Sequence, residues 1–99
     1  MKELKNRGTR TETHSTSAYE GSLEKGYYII IGAFSSLTNA KKFTKAANEN
    51  GYTTAEVIQN KKSQIHQIVI FKTKNKEEAL EKIEVIRKDY RDVWVLTLE

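Results

Sequence analysis

Tyr27 through Ile31 form an unbroken apolar run, Tyr-Tyr-Ile-Ile-Ile, in an otherwise polar chain. A strand turns successive side chains to opposite faces. At the wall of a small domain, a strand with one wetted face alternates apolar with polar. A continuous run requires that both faces be covered, or that one face be kept apolar for a partner. That choice limits what the rest of the chain can build around this strand.

The neighbouring segments supply the elements. Tyr27 to Phe34 reads as a strand, with Gly32 near its end marking a bulge or a close backbone approach. Ser35-Ser36 offer capping oxygens to a helix over Leu37 to Asn50, whose apolar stripe is Ala40, Phe43 and Ala47. Asn50-Gly51 supplies its stop. Thr53 to Ile58 is a second strand, the polar Gln59 to Gln64 a hairpin turn, and Ile65 to Phe71 a third strand. Asn75-x-x-Glu78 resembles a capping box at the head of a second helix. That helix carries Ala79, Ile83, Ile86 and Tyr90 on one face and the pairs Glu78/Lys82 and Glu84/Lys88 outside. Val93 to Leu98 is the last strand.

The order β-α-β-β-α-β is a doubled β-α-β. Laying Ile29 on Ile68 also lays Ile31 on Ile70 and Ala40 on Ala79. Two such halves predict an α+β, ferredoxin-like (RNP-like) domain: one four-stranded antiparallel sheet with two helices on one face. Its other face is then bare. Ile68 and Ile70 should meet the helices, which leaves Tyr28, Ile30, Ile65, Gln67 and Val69, with Phe71 by parity, on the open side. Exposed apolar patches of this kind mark binding surfaces or self-association surfaces.

Met1 to Lys25 contains only Met1, Leu4, Ala18, Tyr19 and Leu23 as apolar residues. It is expected to be a disordered tail or linker (1–25) preceding a domain over 26–99. The net charge of +4 comes from 17 Lys and Arg against 13 Asp and Glu, and the Lys residues are spread along helices rather than gathered into a phosphate-binding patch. The chain has no cysteine, hence neither a disulfide nor a thiolate metal site. It has no apolar run of membrane-spanning or signal-peptide length, so any targeting segment is expected to lie outside this sequence. His66 is expected on the helix side of the third strand as a structural residue, and His14 falls in the tail. No paired carboxylates, Ser/His/Asp grouping or Gly-rich phosphate loop converge, so neither catalysis, a cofactor nor a metal is expected.

The segment YYIIIGAFSSLTNAKKFTKAANENGY resembles the first half of a SPOR domain, with Gly32, Phe34, Ser35, Ala40, Gly51 and Tyr52 in the family's positions. The second half is similar in its strand, its Glu-Glu-Ala helix start and its Trp-Val-Leu ending. The likeness runs from Gly26 to Leu98. It implies a non-catalytic module that binds denuded peptidoglycan strands with the open sheet face, in a bacterial envelope or cell-division protein, at the septum. By motif position the glycan face would comprise Ile30, Ala33, Ile65, Gln67 and Trp94, to which strand alternation adds Tyr28 and Val69. The family's frequent Gln and Ser are replaced here by Ile30 and Ala33, and its Gly-Pro-Phe by Phe71-Lys72-Thr73. Trp94 alternates with Leu96 and Leu98. It belongs to the glycan face if Val93 and Val95 face the helices, and to the core otherwise; the family position favours the glycan face.

The resemblance further implies a peptidoglycan partner and an envelope or periplasmic location. A monomer is expected, without membrane contact by this segment and without nucleic acid. Two alternatives share the element order. An RNA-recognition-like domain would need Lys/Arg-Gly-aromatic-Gly/Ala-aromatic in its third strand, where this chain has IHQIVIF. A dimerising or regulatory ferredoxin-like domain would use the bare face for its twin.

Overall fold

The computed structural model describes residues 9–99. The elements are β1 (Thr11–His14), a short 3-10 turn (Thr16–Ala18), β2 (Gly26–Phe34), α1 (Leu37–Glu49), β3 (Glu56–Gln59), β4 (His66–Thr73), α2 (Lys76–Ile86) and β5 (Trp94–Leu98). They form one sheet in the order β1-β5-β2-β4-β3. The last four of these strands are the predicted antiparallel sheet. The expectation of four strands needs correction: β1 adds a fifth, parallel to β5, which makes the sheet mixed. An edge strand presents unpaired N–H and C=O groups, and a short polar segment of the same chain can satisfy them despite its composition.

Both helices lie on one face. Ala40 and Ala47 of α1 and Ala79, Ile83 and Ile86 of α2 share a buried cluster with Ile29, Ile31, Ile68, Ile70, Val93 and Val95. Alanine lets the helices approach the sheet closely, while the branched chains of the strands fill the layer between. His66 is buried, and its register partner Gln59 follows the Val57–Ile68 pair of the helix side, as the strand alternation requires.

The register of β2 against β4 is broken twice, between Ile29 and Ile30 and again between Ile30 and Gly32. The second break places an extra residue on β2, so Ile31 and Gly32 both turn to the helix side. A Cβ on Gly32 would come within 3.1 Å of the Phe43 ring and 3.2 Å of the Phe34 ring. The first break has the matching effect on β4, where Ile70 and Phe71 both join the helix-side layer. Phe71 therefore leaves the open-face set to which parity assigned it, and Lys82 of α2 lies 5.1 Å above its ring. Simple alternation fails here because a bulge exchanges the faces of everything beyond it.

The caps follow the sequence in part. Ser36 accepts from the Asn39 amide and Asn75 from the Glu78 amide. Glu78 does not close the box; its carboxylate takes the Thr73 hydroxyl instead, and Thr73 accepts the Asn75 amide. Among the described residues the expected Glu/Lys pairs along α2 do not form. Lys82 is drawn to Phe71, and α2 ends at Ile86, before Lys88. The stop after α1 is as expected: Gly51 adopts φ 102°, and the Tyr52 amide closes back on Ala47 O at 3.0 Å.

Residues 9–25, expected as part of a tail, carry β1, the 3-10 turn and a fully buried Tyr19; the rest of that stretch, 1–8, lies outside the described residues. Apolar cover is the physical reason. The second face of the sheet is too hydrophobic to stay wet, and Tyr19, Leu23 and Ala18 are the nearest residues able to cover it. Ile83 is fully buried between α2 and the sheet. Ile83→Ala is expected to lower stability by about 2–5 kcal/mol, read as a large drop in the thermal midpoint, whereas Val85→Ala on the exposed side of the same helix should leave it nearly unchanged.

Candidate functional site on the second sheet face

Strand pairing decides which side chains share this face. Ile30 pairs with Trp94 on one side and Val69 on the other, and Ile58 pairs with Gln67, which in turn pairs with Ala33. Tyr28, Ile30, Ile58, Val69, Trp94, Leu96 and Leu98 form one buried cluster on it. Val93 and Val95 belong to the helix-side layer, so the condition that puts Trp94 on the second face is met. The bulge at Gly32 brings Ala33 to the same face as Ile30, although the two are an odd number of positions apart.

The face is not bare, as the sequence led us to expect. Tyr28, Ile30, Val69 and Trp94 are all buried, with Trp94 only 3% exposed. The segment from β1 to Gly26 crosses over them. It starts along the outer edge of β5, where the Val95 amide donates to Arg10 O at 3.0 Å and the Glu99 amide to His14 O at 3.0 Å. It then spans the sheet to the opposite side, where the Glu20 amide donates to Gln59 O and the Lys61 amide to Ala18 O. Tyr19 bridges to Asn60 there. From this point the chain returns to enter β2 at Gly26. Of the expected site residues, Ala33 is exposed and Ile65, just before β4, is half-buried; the other five lie under the crossing segment or at its margin.

Tyr19 is the residue that sequence reasoning missed. It is 1% exposed and its hydroxyl donates to Gln67 Oε1 at 2.6 Å. The side chain of Gln67 is thereby satisfied in a layer of apolar neighbours, where an unpaired amide would be costly. The available signal was a lone aromatic, flanked by Ala18 and followed by Gly21, in a stretch with few other apolar residues. Beside it, the guanidinium of Arg10 stacks 4.0 Å above the centre of the Trp94 ring. Arg10 also pairs with Glu12, which accepts from His14, and these two hydrogen bonds hold the Glu12 carboxyl below its usual range.

Burial pushes the phenols of both Tyr19 and Tyr28 above the ordinary value of 10.0, so they act as neutral donors. Tyr28 donates to Glu24 O at 2.6 Å. Next to it is a cleft of about 290 Å³, lined by Leu23, Glu24, Lys25, Tyr28, Lys72 and Lys74 among others. Two of these lysines are already matched, Lys72 with Glu56 at 3.4 Å and Lys74 with Glu24 at 3.3 Å. The chemistry available on this face is thus an aromatic-aliphatic floor with a few neutral hydrogen-bonding groups. No group of acidic, His or Cys side chains among the described residues is arranged to hold a metal ion.

The native phenol of Tyr19 is harder to ionise than the unfolded one, so its contribution to stability is complete below pH 10.0 and lost as pH climbs towards the raised value. The thermal midpoint should therefore fall from about pH 10 upward. Tyr19→Phe, which has no phenol to ionise, should fall less steeply in the same series of melts. Equal slopes would remove Tyr19 from the alkaline transition.

No curated protein and no solved structure matches the chain at a significant level. The family model for the SPOR domain matches residues 23–97, which is most of the sequence, and includes all five strands and helices from β2 to α2 together with β5 up to Thr97. The family is known for peptidoglycan binding, and its members occur in bacterial cell-envelope proteins. The match covers both β-α-β halves and the two layers they build, and on it the chain belongs to the SPOR domain family.

Proposed function

We propose that this domain binds peptidoglycan through the second face of its sheet, without catalysing a reaction, and that its ligand is the glycan strand stripped of stem peptides. Membership of the SPOR family is the observation that carries the reading. The chemistry of the face supports it. A pyranose ring has apolar C–H faces and a polar rim, so a binder needs an aromatic or aliphatic platform with a few hydrogen-bonding groups. Trp94 and Tyr28 supply the platform, with Ile30 and Val69 between them, and Gln67 supplies a neutral amide. Ala33 and Ile65 would form the accessible end of the site. Ile30 and Ala33 take the place of polar residues, so stacking carries a larger share of the affinity here.

The module proper would run from Gly26 to Glu99. Residues 9–25 pack on the sheet of this module, and the module would serve a cell-envelope protein at the division septum. The mild positive charge is scattered along the chain, and β4 lacks the Gly and the spaced aromatics of an RNA reader, which favours a neutral polysaccharide over a nucleic acid. We read the module as a monomer, since the hydrophobic face that a twin would cover is already covered from within the chain.

Co-sedimentation with purified sacculi tests this. Binding is expected to rise when the sacculi are first treated with an amidase that removes stem peptides. It should vary little with salt, because no ion pair is proposed. Trp94→Phe keeps an aromatic in the buried layer, so it should stay folded with a lowered thermal midpoint, and binding is compared well below that midpoint. The smaller ring should still cost about 1 kcal/mol of stacking, roughly a fivefold loss of binding. No sedimentation of the parent or of any folded variant with treated sacculi would sink the reading.

A further inference from the structure

The segment over the second face touches it as a sugar would. The ring of Tyr19 is buried in the same cluster as Ile30, Val69 and Trp94, while its hydroxyl donates to Gln67 Oε1 at 2.6 Å. An apolar ring face on the floor with a polar rim on the amide is the contact pattern a pyranose needs. The Arg10 guanidinium sits 4.0 Å from the centre of the Trp94 ring, where a second sugar ring would have to stack. Ligand and segment cannot occupy these positions together.

The two sides of the sheet are covered very differently. On the helix side, five residues from α1 and α2 are buried against the strands. On the other side only Tyr19 is fully buried, with Ala18 and Leu23 partly so. The crossing portion makes few backbone bonds to the sheet: Thr16 to Glu99, Glu20 to Gln59 and Lys61 to Ala18. Gly21, at φ 83° with nothing within 4 Å of where a Cβ would be, gives it a loose bend in the middle. Residues 11–14 are fixed to β5 by the parallel ladder, so it is the portion after His14, held by one large anchor, these backbone bonds and the Tyr28 hydroxyl on Glu24 O, that opens locally at lower cost than the domain unfolds.

We propose that the crossing portion, residues 15–25, forms an autoinhibitory strap, with Tyr19 as a built-in ligand mimic that denuded glycan must displace before it can bind. The inference rests on the glycan-binding reading above and adds a regulated, closed state to it. Apparent affinity is reduced by the fraction of molecules in which the face is open. Any change that loosens the strap therefore tightens binding, the reverse of what loss of a contact residue does.

The test uses the full chain with three sequences: parent, Tyr19→Ser and Tyr19→Phe. Binding to amidase-treated, soluble glycan strands is measured by titration, with a thermal melt of each variant. Tyr19→Ser should bind about tenfold more tightly than the parent, and Tyr19→Phe, which loses only the hydrogen bond to Gln67, should gain less. In the parent, added glycan should leave Val95 and Glu99, bonded to Arg10 O and His14 O along the β1 edge, protected, and should speed amide hydrogen exchange at Thr16, Glu20 and Lys61, whose bonds between strap and sheet are lost. Tyr19→Ser binding no better or worse than the parent overturns the proposal, as does slower exchange at those amides, which would make the strap part of the site. Should Tyr19→Ser fail to fold, Tyr19→Phe and the exchange data on the parent decide. If no form binds glycan while all of them fold, the functional reading falls and the strap proposal with it. If the parent binds and only the direction of the Tyr19 effect is wrong, the strap proposal falls alone.

Discussion

Burial of β2 on both faces is the constraint on which the rest of the structure depends. Ile29 and Ile31 go to the helices, Tyr28 and Ile30 to the other side, and all four are removed from water. A central strand with two hydrophobic faces needs two covers. The doubled β-α-β provides only one, because both helices fall on the same side of the sheet. The second cover has to come from elsewhere: from a ligand, from a twin, or from the chain itself. In this molecule it comes from residues 9–25, and the site question becomes a question of competition for that face.

The two bulges between β2 and β4 show how finely the faces are assigned. Without the extra residue at Ile31/Gly32, Ala33 would point towards the helices and Gly32 outward. With it, Phe43 and Phe34 close over Gly32, where a side chain would crowd them, and Ala33 lines up with Gln67 on the second face. The matching shift at Ile70/Phe71 brings Phe71 under Lys82 and keeps it out of the site. Glycine at this point in the strand is therefore a condition for the composition of the candidate site several residues away.

Polar contacts finish what burial begins. Gln67 would be an unsatisfied amide in an apolar layer if the face were closed by hydrocarbon alone. The Tyr19 hydroxyl satisfies it now, and a sugar hydroxyl could do so in its place. The same amide thus serves both the closed state and the proposed liganded one, as Trp94 does with Arg10 above it. Under the proposed reading, such interchangeability makes the crossing segment more than simple cover.

The sequence by itself determined the doubled β-α-β, the helix stripes of Ala40/Ala47 and Ala79/Ile83/Ile86, the glycine stop at Gly51, and the family. The first three rest on local periodicity or on short-range capping, which a chain expresses within a few residues of itself, and the family on the resemblance of its motifs in order and spacing. The membership of Tyr28, Ile30, Gln67, Val69 and Trp94 in one face was also legible, from alternation and motif position. Only the tertiary structure decided the remainder. The fifth strand forms because the free edge of β5 can be paired by Thr11–His14, a polar segment with no apolar face of its own to mark it as a strand. Phe71 changes sides because β4 carries an extra residue at Ile70 where it pairs with β2, which periodicity within β4 does not reveal. Tyr19 is buried because an apolar face built by residues far along the chain has to be covered, and that driving force appears only once the sheet exists.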